Sequence, residues 1–327
     1  MERVIEEIFE IKNEQDFNEI SLKTFNYQAA NISIYRDFIN SLGVKREKIQ
    51  HYTEIPFLPI EFFKHHSIIK NLSDTEITFS SSGTTGTETS KHYVKDVSIY
   101  EKSYLNAFEY FYETIKNSCI IALLPNYLER SGSSLIYMVE DLIHKSDHPD
   151  SGFLLYDHDI LHEKLQRLKT NKQKTILIGV TYALLDFVEK YTIDFPELII
   201  METGGMKGKR KEMIREELHK TLGNGFGVKN IHSEYGMTEL LSQAYSKGNG
   251  VFDCPPWMKI LIRDINDPLS LVENNKNGGI NVIDLANIYS CSFIATQDLG
   301  RKQQNGSFEV LGRFDNSMIR GCNLLLG

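Results

Sequence analysis

At 327 residues the chain has room for one large domain or two, each with a sizeable core. Its 41% hydrophobic and 24% charged residues are those of an ordinary folded protein and argue against disorder. A formal net charge of −8 speaks against a nucleic-acid partner or an anionic membrane surface. No apolar run approaches the ~20 residues of a membrane helix, so no membrane insertion is expected.

The opening stretch from Met1 to Glu7 is acidic and lacks a signal-peptide pattern. Cys119, Cys254, Cys291 and Cys322 are scattered, with no Cys-x-x-Cys pair, which suggests neither a zinc knuckle nor a disulfide framework. A reduced, cytoplasmic protein is the expectation. Residues 1–75 read as a mostly helical N-terminal part, broken where Pro56 and Pro59 force an extended path. From 76 to 250, short apolar runs at 119–124, 153–156, 175–180 and 198–201 alternate with helical patterns at 97–116, 132–145, 158–170, 181–191 and 208–221. That alternation predicts an α/β nucleotide-binding core: a mostly parallel sheet flanked by helices, with ligands beyond the carboxyl ends of the strands. From 251 to 327, β-like runs at 258–262, 280–285, 293–296 and 308–311 are separated by Asn- and Gly-rich turns. They predict a small β-rich subdomain.

The run from Phe79 to Lys91 is mostly hydroxylic, with Gly83 and Gly86 inside it. Glycine lets backbone approach a ligand, and successive N–H groups can form an anion-binding concavity. A polyphosphate cradle preceded by a strand at 77–79 is the chemical reading, and a solvent-facing linker is the alternative. The spacing is not that of a Walker A loop. His158 and His162, four apart on a predicted helix, have the spacing of two metal ligands, but an exposed amphipathic helix gives the same pattern. The adjacent pair His65 and His66 points in different directions, which makes shared ligation awkward. His92, just beyond the loop, is a possible substrate contact.

The core Ser81-Ser82-Gly83-Thr84-Thr85-Gly86 resembles the phosphate loop of the adenylate-forming superfamily, which includes acyl-CoA synthetases, luciferases and peptide-synthetase adenylation domains. Three further motifs follow in the order that the resemblance requires: Gly204-Gly205; Glu234-Tyr235-Gly236-Met237-Thr238-Glu239; and Thr296-Gln297-Asp298-Leu299-Gly300 with Gly312-Arg313-Phe314-Asp315. The resemblance implies the fold of the superfamily's large N-terminal domain, with ATP and Mg²⁺ as cofactors. It assigns Gly204 and Gly205 to the adenine face, Tyr235 to stacking on adenine, Thr238 to phosphate and Glu239 to Mg²⁺. It also assigns Asp298 to the ribose, Arg313 to ribose or phosphate, and Asp315 to a hinge. A flat aromatic suits a purine face, and a hard carboxylate oxygen suits Mg²⁺ shared with phosphates.

The chain departs from that pattern in four places. Gln297 stands where the family has glycine, and Asn316 replaces an aspartate. Lys91, the candidate catalytic lysine of the phosphate loop, is displaced by two residues. The sequence ends shortly after the hinge motif, so the mobile C-terminal lid domain is expected to be absent or vestigial. One branch of the superfamily is similarly short: the acyl-protein synthetase subunit of the bacterial luciferase fatty-acid reductase. The segments 124–135, 204–208, 254–258 and 320–325 are similar to it. That resemblance implies activation of a carboxylic, probably fatty, acid as acyl-AMP. Transfer to Cys322 and delivery to an acyl reductase partner would follow. A thiolate is a competent acyl acceptor, although Cys322 also reads as a small apolar residue of a tail strand. An acyl-CoA ligase and a degenerate nucleotide-binding partner subunit are the alternative readings.

Overall fold

The structure is a computed structural model that describes residues 2–81, 89–125, 131–204 and 213–314. The chain begins with α1 (Glu2–Ile8), α2 (Glu14–Asn31) and α3 (Ser33–Ser41), then β1 (Leu58–Pro59), α4 (Phe62–His65), β2 (Ile77–Ser80) and β3 (Lys91–Val94). It continues through α5 (Val97–Tyr112), β4 (Cys119–Leu123), α6 (Ser134–Ser146), β5 (Gly152–Phe153), α7 (His158–Thr170), β6 (Thr175–Val180) and α8 (Thr181–Lys190). Next come β7 (Ile199–Thr203), α9 (Arg215–Phe226), β8 (His232–Tyr235), β9 (Ala244–Ser246) and β10 (Val251–Asp253). The last strands are β11 (Met258–Arg263), β12 (Asn277–Asp284), β13 (Phe293–Lys302) and β14 (Phe308–Arg313).

The residues gather into two compact units, neither contiguous in sequence. One comprises 78–89 and 98–252. Its sheet runs in the order β9-β8-β7-β6-β4-β5, parallel throughout except for the antiparallel β8–β9 pair. Every residue of β4 and β6 is buried, as strands covered on both faces require. The helix predicted at 97–116 stops at Tyr112, since Glu113 and Asn117 take positive φ values of 64° and 63°. In the stretch predicted at 208–221, the described helix runs from Arg215 to Phe226 and is capped by Gly227 in the left-handed region. It buries Leu218, Leu222 and Phe226, while Ile214 stays 68% exposed.

The other unit comprises 1–77, 90–97 and 253–327. Its antiparallel sheet runs β11-β12-β13-β14, with β1 added in parallel to β13. The N-terminal helices are tied to it through a buried amide. Gln28 Nε2 donates to the Asn287 and Ile288 carbonyls and to Ser292 Oγ, each at 3.0 Å, and its oxygen accepts from Ser292 N at 3.0 Å. A fully satisfied buried amide fixes this packing in one arrangement. The predicted run 293–296 is longer than expected. β13 continues to Lys302 because β12 and β14 supply ladder partners to its polar half. Among the described residues beyond Asp253 there is no α-helix.

Candidate functional site

In the parallel unit, β7 and β8 are neighbours, with Met201 opposite His232 and Glu202 opposite Ser233. Two motifs some thirty residues apart in sequence therefore emerge side by side at the carboxyl ends of adjacent parallel strands, where open α/β sheets bind ligands. Gly204 leaves β7 at φ +65°, a conformation that suits glycine. Its carbonyl accepts from Thr181 Oγ1 at 2.7 Å. Glu202, one residue back and buried, accepts from Ser233 Oγ at 2.8 Å and lies 3.2 Å from Thr181 Oγ1. These hydroxyls brace the turn from beneath.

Successive strand residues face opposite ways. Thr203 points away from Glu202, and its hydroxyl donates to Glu234 Oε2 at 2.6 Å. Burial pushes the Glu234 carboxyl up to about 7; the hydrogen bond from Thr203 opposes that shift, and the nearby Glu202 charge adds to it. The neighbouring His232 is pushed down to about 4 by burial and by Lys247. Its Nδ1 lies 3.2 Å from the Tyr112 hydroxyl. Gly236 is required by space: a Cβ there would sit 2.3 Å from Glu234 Oε1 and 3.2 Å from Gln243 Cγ.

Tyr235 is buried and lies edge-on to Phe252, with ring centroids 6.0 Å apart. Thr238 and Glu239 follow in a turn. Glu239 is only 6% exposed, so the bland reading of a surface charge at a helix start does not hold. A buried carboxylate at a strand's carboxyl end is a hard-oxygen donor that suits Mg²⁺, with phosphates and water completing its shell. Among the described residues no group of three or more His, Cys, Asp or Glu could hold a metal alone.

In the antiparallel unit, Asp298 and Arg313 stand opposite each other on β13 and β14. Asp298 is 7% exposed, and its N–H donates to Thr296 Oγ1 at 3.1 Å. Buried Arg263, which the sequence gave no reason to single out, spreads beneath this segment. It donates to the Ile280 carbonyl at 2.8 Å, to Asn281 Oδ1 at 2.9 Å and to the Thr296 carbonyl. Gln297, the departure from the family glycine, donates to Glu61.

Lys91 opens β3 with its side chain exposed, and Ser81 follows β2. Ser82, Gly83, Thr84, Thr85, Gly86, Gly205, Asp315 and Cys322 lie outside the described residues. His92 is not available to a substrate. It is fully buried, 3.0 Å from Asn287 Oδ1 and edge-on to Phe63. His162 is stacked on Tyr191 and His158 lies edge-on to Phe187, so both rings of that helical pair rest on aromatic neighbours. Burial raises the thiol of Cys119 to about 11, and those of Cys254 and Cys291 to about 12. All three are therefore poor nucleophiles.

Sequence comparison gives no match to any protein-family model or to any curated protein. Structure comparison does: 432 solved chains match. A 2-hydroxyisobutyryl-CoA ligase, solved in an open conformation with 2-HIB-AMP and CoA, is similar over 94% of this chain and 72% of its own, with a TM-score of 0.69 at 11% identity. ATP-bound MatB from Rhodopseudomonas palustris is similar over 74% of this chain, with a TM-score of 0.57 at 14% identity. The chain spans about half the length of MatB, 49%. At these identities the likeness is one of fold: a mixed α/β architecture with a large sheet and helices, shared with adenylate-forming ligases.

Proposed function

We propose that the protein activates a carboxylic acid with ATP. A carboxylate oxygen attacks the α-phosphorus, the bond to the β-phosphate oxygen breaks, and acyl-AMP and pyrophosphate form. The observation that carries this reading is the adjacency of Gly204 and the Tyr235–Glu239 motif at the ends of β7 and β8, with the Thr203–Glu234 hydrogen bond joining the two strands. Gly204 and Gly205 line the adenine, Tyr235 stacks on it, Thr238 contacts phosphate, and Asp298 and Arg313 hold the ribose side. Ser81, Ser82, Gly83, Thr84, Thr85, Gly86 and Lys91 serve the β- and γ-phosphates. Glu239 would hold Mg²⁺, which when bound neutralises phosphate charge. The protein's own contribution is positioning and charge complementarity.

In the second half-reaction a thiolate attacks the acyl carbonyl and AMP departs. Cys322 is the proposed acceptor, as in the acyl-protein synthetase branch, with a fatty acid as substrate and an acyl reductase as the receiving protein. The competing reading, transfer to coenzyme A, draws support from the 2-hydroxyisobutyryl-CoA ligase, whose structure contains both acyl-adenylate and CoA.

Intact-protein mass after incubation with Mg-ATP and a panel of acids separates these. An acyl adduct that disappears in Cys322→Ala supports the acyl-protein synthetase. Pyrophosphate release without an adduct, stimulated by CoA, supports the CoA ligase. ATP binding without pyrophosphate release or exchange rejects adenylation.

A further inference from the structure

One face of the strands β7, β8 and β9 carries polar chemistry that internal hydrogen bonding leaves incomplete. Glu234 and Tyr245 are register partners across β8 and β9, so their side chains share a face. Thr203 reaches the same carboxylate from β7. Gln243 lies two residues before Tyr245, and the close approach of its Cγ to the Gly236 Cβ position puts it beside Glu234. The Tyr245 ring packs against Phe108, Phe111 and Tyr112, with centroids 5.2 to 6.3 Å away, which gives the polar tips an apolar wall.

Two atoms on this face are orphans. Gln243 Oε1 and the Tyr245 hydroxyl are buried without a hydrogen-bond partner, in residues that are 3% and 1% exposed. Folding rarely leaves such groups bare, because each costs the full desolvation penalty. Burial holds the Tyr245 hydroxyl well above the ordinary tyrosine range, and the Glu234 charge pushes it further, so it stays a neutral donor and acceptor. The amide oxygen and the Glu234 carboxyl group add acceptors. Together they suit a group that brings a donor.

The alternation of β8 assigns the face. Tyr235 and Glu234 are consecutive strand residues and point to opposite sides. A nucleotide stacked on Tyr235 leaves the Glu234 side for the second substrate. We propose that Thr203, Glu234, Gln243 and Tyr245 form the acid-recognition subsite of the reaction proposed above, on which this inference rests. The acid it takes carries a hydrogen-bond donor, a hydroxyl or an ammonium, on its carbon skeleton. Bound there, the donor satisfies Gln243 Oε1 and the Tyr245 hydroxyl. An unsubstituted chain leaves both bare, and a site built to bond a substrate group discriminates against the analogue lacking it.

The test uses the full chain with butanoate and decanoate, and with the hydroxy and amino derivatives of each. Two readouts are taken: calorimetric binding without nucleotide, and ATP–pyrophosphate exchange. A substituted acid is expected to be preferred over its parent by roughly 10- to 100-fold, the scale of one buried unsatisfied group. Preference for the amino over the hydroxy derivative identifies the donor as an ammonium facing Glu234; the reverse identifies a hydroxyl. Tyr245→Phe and Gln243→Met, both close in shape to the native residue, should each shrink that preference. Tyr245→Phe should also keep or raise the unfolding midpoint, since the hydroxyl it removes bonds nothing in the free protein.

Equal binding of parent and substituted acids overturns the subsite, as does a preference that survives both substitutions. A lowered midpoint in Tyr245→Phe does so too, because it would show the hydroxyl bonded inside the fold. Absence of exchange with every acid rejects the adenylation chemistry instead, and the calorimetric preference then decides the subsite by itself.

Discussion

Arg313 Nε donates to Asp298 Oδ1 at 3.2 Å across the β13–β14 ladder, joining two motifs fifteen residues apart. The partners are unequal: the arginine side chain is 83% exposed and the aspartate side chain 10%. An ion pair this open to water contributes well under about 1 kcal/mol to stability. Its value lies in holding a guanidinium beside a carboxylate that the proposal assigns to ribose. Arg313→Ala is therefore expected to leave the denaturation midpoint almost unchanged while weakening ATP binding by roughly tenfold, the scale of one charge-assisted contact. Equal ATP affinity in the variant and the wild type would remove Arg313 from the site.

Arg263 behaves in the opposite way. It is buried and gives hydrogen bonds to three acceptors around Ile280, Asn281 and Thr296. Arg263→Met leaves those acceptors bare and should cost about 3 kcal/mol in urea unfolding. Because Thr296 Oγ1 accepts from the Asp298 N–H, the variant should also lose nucleotide affinity. An unaltered urea midpoint would contradict this account of the β11–β13 core.

Glu239 separates binding from chemistry. Glu239→Gln keeps the shape of the side chain and removes its charge. Pyrophosphate exchange should fall by at least about 100-fold, the scale of one lost electrostatic contact to a developing charge. Mg²⁺ titration of the residual activity should show a raised half-saturation concentration. A variant with wild-type Mg²⁺ dependence would place the cation elsewhere.

Glu234 and His232 give stability slopes of opposite sign. Glu234 is raised to about 7 in the fold, against an ordinary value of 4.5. Between pH 4.5 and 7 the unfolded chain has lost that proton while the folded protein keeps it, so this contribution to stability declines as pH rises. His232 is lowered from 6.5 to about 4. As pH falls through that window the unfolded chain gains a proton that the fold refuses, and stability declines in the other direction. The two largely offset each other between pH 4.5 and 6.5.

Glu234→Gln should therefore expose the histidine slope, with stability rising from pH 4 to 6.5 more steeply than in the wild type. His232→Gln should expose the carboxylate slope, with stability falling from pH 4.5 to 7. Urea midpoints across pH 4 to 8 measure both. Parallel curves for all three proteins would show that these groups are not buried as described.

Local sequence determined the elements with a strong period. The all-apolar runs became β4 and β6, and the helix at 158–170 formed where its pattern placed it, because burial on both faces of a strand or one face of a helix leaves a local imprint. The glycine pair, the Tyr-Gly-x-Thr-Glu stretch and the Asp298 and Arg313 motifs were legible as residue types in order. Positive-φ residues after Tyr112 and the full length of β13 were not, since a helix end and a ladder partner depend on contacts distant in the chain.

The tertiary structure alone decided which of these residues meet. Register across β7 and β8 set Thr203 on Glu234, and register across β8 and β9 set Tyr245 on the same face. Packing withdrew His92 into the core and put Arg263 beneath Asp298's strand. Strand register and burial are cooperative properties of many distant residues, so no window of sequence contains them. That is why the sequence could suggest a nucleotide, while the candidate acid subsite came from the fold.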